Sequence, residues 1–300
     1  MPHYRHYLLA LAFFGGVVSP LRSDAQIKAS ELQSIAQTVD GTVVRVTYSR
    51  PRMRGRWPLF GTKAVQWGEV WTPGANWATT LEASNDFTIS GVKVPKGKYG
   101  VWMIVDTSAN WTMLLDPKWK QFHTDHPKPN DTHIRVAVRA DSNAGREEML
   151  TWSFPSVTVR GGSMAMHWAN MRVTMDYSVV PSLSELLPET EARPYLGTYT
   201  LTNPKTQKAE GKMIVSYARG GLKARFEPED SYLKTFALMR TGPQMFTVGL
   251  FESAEVYAGG EIYEVLKPDM MFAFTITGGA TTLECRGEND ELYFTGKKLP

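Results

Sequence analysis

Apolar and polar residues alternate in short runs through nearly all of the chain beyond residue 26, and Gly or Pro breaks each run after a few positions. In Thr42–Tyr48 (TVVRVTY), Val44, Val46 and Tyr48 fall on one face. Phe87–Val94 alternates Phe87 and Ile89 and, past Gly91, Val92 and Val94. Pro95–Gly97 then makes a turn, and Lys98–Val105 (KYGVWMIV) returns as an apolar strand. Trp111–Leu115, Ile134–Val138, Met149–Phe154 and Met164–Tyr177 supply further strands. A period of two with frequent turn signals predicts an antiparallel sandwich or barrel, because successive side chains of a strand point to opposite faces. No long segment has helical periodicity.

The rhythm breaks at Pro181–Pro194 (PSLSELLPETEARP). Here Ser182 is placed to cap a short helical turn through Leu183, Leu186 and Leu187, which Pro188 stops. A meander resumes from Tyr195 to Pro300: YLGTYTLT, KMIVSYA, GLKARFE, MFTVGLF, MMFAFTIT, TTLECRG and LYFTGKK. So many short strands in one segment fit a small antiparallel barrel or curled sheet. The expectation is an all-β chain, with an antiparallel β-sandwich over residues 26–180. A linker follows over 181–194, then a smaller antiparallel β-barrel or curled-sheet domain over 195–300.

The first residues bear on the compartment. Arg5 precedes the apolar run Tyr7–Val18, which is shorter than the roughly 20 residues of a membrane span. Ser23-Asp24-Ala25 sets small residues before a cut at Gln26. This is the pattern of a cleaved signal peptide over residues 1–25, and it predicts export to the periplasm or beyond. Nothing after it is apolar enough to span a bilayer as a helix. The single Cys285 forms no internal disulfide and, lying in an alternating segment, reads as a strand residue rather than a nucleophile. With 33 Lys and Arg against 30 Asp and Glu, and no long basic run, a nucleic-acid partner is not expected.

The chain has no G-x-S-x-G, H-E-x-x-H, Walker or dinucleotide signature. Its most unusual stretch is Ser49–Gly61 (SRPRMRGRWPLFG), with Arg50, Arg52, Arg54 and Arg56 at every second position. In a straight strand these share one face about 6.6–7 Å apart. Neighbours then repel by about 2 kcal/mol at an effective dielectric near 20. Such a row needs solvent, acidic neighbours or an anionic ligand. Pro51 and Gly55 argue that the strand stops at Ser49 and a loop follows. A solvated loop accounts for Arg52 and Arg54, whereas for Arg50 and Arg56 hydrogen bonding within the fold and ligand contact both stay open. Trp57, Trp67, Trp71 and Trp77 crowd the same region and suit a core or a stacking platform. In FHTDHPKPNDTHIRV, His123, Asp125 and His126 are weak metal candidates, because the spacing matches no defined template. No metal or other cofactor is expected. His167, in SMAMHWANM, reads as a sheet histidine.

Three motifs in order, YSRPRMRGRWPLFG, WGEVWTPGANWATT and ISGVKVPKGKYGVWMI, resemble a secreted bacterial family known as domain of unknown function 2911. The resemblance rests on Tyr48, Ser49, Arg50, Pro51, Gly55, Arg56, Phe60 and Gly61, then Val70, Trp71, Gly74, Ala75, Asn76, Ala78 and Thr79. Gly91, Pro95, Gly97 and Tyr99 complete it. It covers about residues 30–178 and implies a fold and a compartment, with no reaction attached. Two positions depart from the family pattern: Thr72 stands where Arg is usual, and Trp77 where Glu is usual.

These observations favour a binding module for a small polar ligand, a glycan or an envelope component. Its candidate contacts are Arg50, Arg56, Trp71, Asn76 and Thr79, with turn glycines nearby to admit close approach. A structural reading, in which the same motifs brace a crossing loop, stands nearly level with it. A hydrolase or lyase, with Glu69 as acid or base, is the least supported. The oligomeric state is left open.

Overall fold

A computed structural model describes residues 28–252 and 261–300; the expected signal peptide, residues 1–25, lies outside the described residues. The first half contains β1 (Glu31–Val39), β2 (Thr42–Arg50), β3 (Val70–Trp71), β4 (Thr80–Ala83), β5 (Phe87–Ile89) and β6 (Val92–Val94). It continues with β7 (Gly97–Ile104), β8 (Asn110–Asp116), β9 (Ile134–Asp141), β10 (Glu147–Thr158), β11 (Gly161–Ala169) and β12 (Met171–Val179). The strands pair antiparallel in the order β1-β2-β4-β7-β8-β9-β12-β11-β10, with β3 beside β7 and β5 joining β12 to β6.

The β9–β12 junction rests on only two residue pairs, Arg172 with Asp141 and Val173 with Ala140. The sheet bends there, so that its two parts face each other. At the far end β10 returns to the chain just past β2, where Arg52 bridges Met149 and the Leu150 N–H donates to the Pro51 carbonyl at 3.0 Å. The expected sandwich therefore takes the form of one sheet folded over into a nearly closed barrel. Val44, Val46, Tyr48, Met103 and Met113 share its core with Met164, Met166, Trp168 and Met175. The alternation behind this core is plain in β12, where Val173, Met175, Tyr177 and Val179 are buried and the residues between them exposed.

After α1 (Glu189–Ala192) and a 3-10 turn at Arg193–Tyr195 come β13 (Gly197–Thr202), β14 (Ala209–Ala218), β15 (Gly221–Glu227), β16 (Phe236–Gly242) and β17 (Met245–Phe251). Then follow β18 (Ile262–Val265), β19 (Met271–Thr277), β20 (Ala280–Arg286) and β21 (Leu292–Lys298). Their order is β16-β15-β14-β13-β21-β20-β19-β17, and pairing of β16 with β17 closes an eight-strand barrel; β18 adds to the edge of β17. The interior is aromatic, with Tyr199, Phe236, Phe246, Phe272 and Phe274 buried together around Cys285. Among the described residues no helix is long and apolar enough to cross a membrane.

The segment between the barrels differs from its sequence reading. The short helix begins after Pro188, not before it. Ser182 caps nothing; its N–H and hydroxyl donate to the Asp40 carboxylate at 2.6 and 2.5 Å, in the β1–β2 turn. Residues 183–187 form no helix and lie, with bends at Leu183 and Glu185, across the outside of β15–β17. Leu183 packs on Ala237, Met239, Phe251 and Ile262, and the Leu187 N–H donates to the Gly220 carbonyl at 2.8 Å. A non-helical backbone lets this segment spread its apolar side chains and its carbonyls over a sheet face, which a single helical turn would not.

Candidate functional site

The arginine row starts at the end of β2, where Arg50 lies opposite Glu31 of β1. The strand does not end at Ser49. β2 reaches Arg50, and the alternation persists through buried Pro51 and Met53, because β10 supplies a partner: the Met53 N–H donates to the Glu148 carbonyl at 2.9 Å. Pro51 is tolerated here because this pairing uses its carbonyl and needs no N–H from it. Arg50 and Arg52 consequently share one face. The chain turns at Arg54 and Gly55, both with positive φ, 52° and 75°.

Each arginine has a distinct set of contacts. Arg50 Nε donates to the Leu150 carbonyl at 3.3 Å and Nη2 to Thr151 Oγ1 at 3.0 Å. The Arg54 N–H donates to Glu148 Oε1 at 2.9 Å, and Nη2 to the Ala29 carbonyl at 3.1 Å. Arg56 leaves the row: its fork folds back on the carbonyls of Met53 (2.8 Å) and Arg52 (2.7 Å). The exposed Arg52 side chain has no partner among the described residues. Arg50, Arg52 and Arg54 line an open groove of about 610 Å³ with Lys28, Ala29, Glu31, Glu148 and Met149. Four cationic side chains there face two carboxylates, and no ion pair among the described residues engages any of the four. Beneath it, the Tyr48 hydroxyl donates to Gln33 Oε1 at 2.7 Å and accepts the Trp152 N–H at 2.9 Å. Burial raises the Tyr48 pKa, against the lowering effects of the Trp152 N–H and the Arg50 charge.

The WTPGANWATT loop is tied down from inside. Thr72 is buried, donates to the Val101 carbonyl at 2.9 Å and accepts the Thr79 N–H at 3.0 Å. Buried Thr79 donates to the Pro73 carbonyl at 2.8 Å. A Cβ on Gly74 would stand 2.5 Å from Thr79 Oγ1, so only Gly fits there. Asn76 adopts φ 61°, and its Nδ2 donates to the Ser30 carbonyl and to Ser49 Oγ, both at 3.3 Å. That bond joins the loop to the residue preceding Arg50. Trp71 belongs to the core, stacked on Trp168 at 6.0 Å and edge-on to Phe60 at 5.8 Å.

Trp77 stands on the outside, 57% exposed, edge-on to Phe122 at 5.7 Å. Thus Thr72 and Trp77 do separate jobs: one is an internal brace and the other an exposed aromatic edge. Glu69 is exposed after the Gly68 turn and makes no hydrogen bond or ion pair among the described residues. The His123 ring packs on Phe122 at 4.7 Å, Asp125 Oδ2 accepts the Phe122 N–H at 3.1 Å, and His126 lies 6.1 Å from Trp102. Among the described residues no three His, Cys, Asp or Glu side chains are gathered to hold a metal. His133 is the buried histidine of this region, 3.4 Å from Asp116, and His167 Nε2 lies 3.3 Å from the Gly145 carbonyl on the sheet surface.

The structure thus brings Arg50 and Asn76 close through Ser49 but turns Arg56, Trp71 and Thr79 toward the fold. Sequence reading missed Lys28, Glu31 and Glu148 as groove residues, and Ser30 and Ser49 as partners of Asn76. The period-two arginines were the one local signal for the groove; nothing in the sequence pairs residue 148 with residue 54.

Fold and site together define an all-β protein of two antiparallel barrels, the first carrying an arginine-lined groove beside a braced loop. Residues 30–177 match the model of a family described as "Protein of unknown function (DUF2911)", and the N-terminal half of the chain belongs to that family. No curated protein and no solved structure matches the chain.

Proposed function

We propose that this is an exported binding module whose N-terminal barrel holds a small anionic molecule, a carboxylate or a phosphate, in the groove of Lys28, Arg50, Arg52 and Arg54. The observation that carries the reading is the excess of cationic side chains with no ion pair among the described residues in an open groove of about 610 Å³. Guanidinium forks match carboxylate and phosphate geometry, and Arg52 has its whole fork to offer. Export rests on the signal-peptide pattern of residues 1–25 and is tested by finding a mature chain beginning at Gln26 in the periplasm or medium.

The binding test is calorimetric titration with citrate, inorganic phosphate and neutral sugars. An anion should bind the native chain and weaken at high salt, and Arg52→Ala with Arg54→Ala should lose it while folding normally. Equal binding of neutral sugars by both proteins would sink the anion reading in favour of a glycan. A second reading, a purely structural role for the WTPGANWATT motif, is favoured by the inward hydrogen bonds of Thr72, Asn76 and Thr79. The two readings are compatible, since the brace holds Ser49 and so fixes where Arg50 starts. A hydrolase or lyase built on Glu69 stays the weakest proposal, because no partner among the described residues orients that carboxylate.

A further inference from the structure

The C-terminal barrel has an open mouth that the groove reading leaves unused. At one end Leu201 pairs with Gly211 and Thr202 with Ala209, so Glu210 bulges out of the ladder. The chain after β15 then crosses this end, and Asp230 turns its carboxylate back to accept the N–H groups of Tyr232 and Leu233 at 2.8 and 2.7 Å. This tucks Leu233 inward but does not close the barrel. A cavity of about 530 Å³ remains. Its floor is Leu201, Phe226, Leu233, Met270 and Phe294, with the Phe226 and Phe294 rings edge-on at 5.9 Å. Phe226, Met270 and Phe294 are only partly buried, so apolar surface stays open to whatever enters.

The rim has the opposite character. Glu210, Glu227, Glu229 and Asp230 line it, with Lys212 as the one cation. Glu227 pairs with Arg225 at 2.8 Å and Glu210 accepts the Asn203 amide at 2.8 Å. Glu229 has no hydrogen bond or ion pair among the described residues, and it is the carboxylate free to meet a ligand. The cavity, more than the carboxylates, limits the class of occupant. An anion would be repelled at the rim. A bare metal ion would gain nothing from an aromatic floor and finds no gathered ligand set among the described residues. A cation with a hydrocarbon body satisfies both parts, since the faces of aromatic rings attract positive charge and the apolar floor takes the body.

We propose that this mouth binds a small organic cation of the alkyl- or arylammonium class, with Phe226 and Phe294 against the body and Glu229 against the charge. The site is separate from the arginine groove in position and in sign. The test is titration of the full chain with benzyltrimethylammonium, with benzyl alcohol and benzoate as neutral and anionic matches. Binding is followed by calorimetry and by the ¹³C-methyl signal of Met270, assigned with Met270→Leu. The ammonium should bind, shift Met270 and leave the core Met213 signal in place, while benzoate does neither. Glu229→Gln, an exposed change, should weaken binding by about two- to fivefold with unchanged melting. Arg52→Ala with Arg54→Ala should leave it unaltered, which separates this result from the groove proposal. Benzoate or benzyl alcohol binding as tightly as the ammonium would overturn the proposal. So would unchanged affinity in Glu229→Gln, or binding that leaves Met270 unmoved.

Discussion

The Thr72 hydroxyl accepts the Thr79 N–H at 3.0 Å and donates its own proton to the Val101 carbonyl at 2.9 Å, all in a place sealed from water. One oxygen therefore pairs two buried backbone groups at once. Valine has the same shape without the oxygen, so Thr72→Val should lower unfolding stability by about 2–3 kcal/mol, the scale of leaving buried polar groups unmet. Thr72→Ser should retain most of it. Urea unfolding of the three proteins checks this; a valine variant as stable as the native chain would remove the brace from the account.

Asn76 combines a left-handed backbone with a side chain that ties the loop to Ser30 and Ser49. Two substitutions separate these contributions. Asn76→Gly removes the amide but is at ease at φ 61°, whereas Asn76→Ala removes the amide and keeps a Cβ that costs about 1 kcal/mol more than glycine in this left-handed conformation. The alanine variant should thus be the less stable of the two. If the two melt together, the backbone conformation contributes nothing to the effect. If both match the native chain, the amide contributes nothing either.

How much of this was legible in sequence varies with burial. Strands with one wet face, such as β12, announced themselves by alternation. β1 did not, because its inward positions include Gln33 and Gln37, and Gln33 is there to meet the Tyr48 hydroxyl. β16 was hidden for the opposite reason. Phe236 and Leu238 face the barrel interior, while Ala237 and Met239 are covered by Leu183, Phe251 and Ile262, so four buried residues run without a break. The single strand read over Phe87–Val94 is a hairpin because Ser90 and Gly91 both take positive φ. At the site, the arginine spacing was visible but its consequence was not. Whether Arg52 faces water or a groove depends on β10, about a hundred residues further along the chain.

Cys285 should set the alkaline limit of stability at its lower end. Burial pushes its thiol up to about 12 from an ordinary 9.0. An unfolded thiol gives up its proton near pH 9 while the folded one keeps it. Stability from this group is therefore complete below pH 9 and falls as pH rises toward 12, by about 1.4 kcal/mol per pH unit. Burial also raises Tyr48, Tyr99, Tyr177, Tyr195 and Tyr199, which add to the loss as pH approaches and passes 10. Up to pH 9 the thiol dominates the loss; by pH 10 the five tyrosines together contribute a comparable amount, so the thiol's share is the difference between the native chain and a variant without it. Unfolding curves at pH 8, 9 and 10 should show a decline that Cys285→Ala lessens by about 1 kcal/mol between pH 8 and 10, whatever constant cost the lost side-chain volume adds. An equal decline in both proteins would assign the alkaline loss to other groups.

Lys223 points outward from β15, yet it is almost wholly buried, because the segment between the barrels lies over it. Its ammonium meets Glu185 Oε2 at 2.9 Å and sits 4.9 Å above the Phe251 ring. Gly221 beside it has no room for a Cβ, which would collide with the Glu185 carbonyl. Glu185 also reaches Arg160 at 3.9 Å, so one carboxylate ties the segment to both barrels. Removing that carboxylate strands a buried charge, whereas removing the charge as well does not. Glu185→Gln should then cost about 3 kcal/mol, the low end for a broken buried pair because Glu185 is partly exposed. Lys223→Met alone should cost much less, and combining the two should recover most of the stability that Glu185→Gln loses. Chemical unfolding of the three variants reads this directly. A double variant no more stable than Glu185→Gln would mean that Glu185 acts through Arg160 and the backbone of its own segment rather than through Lys223.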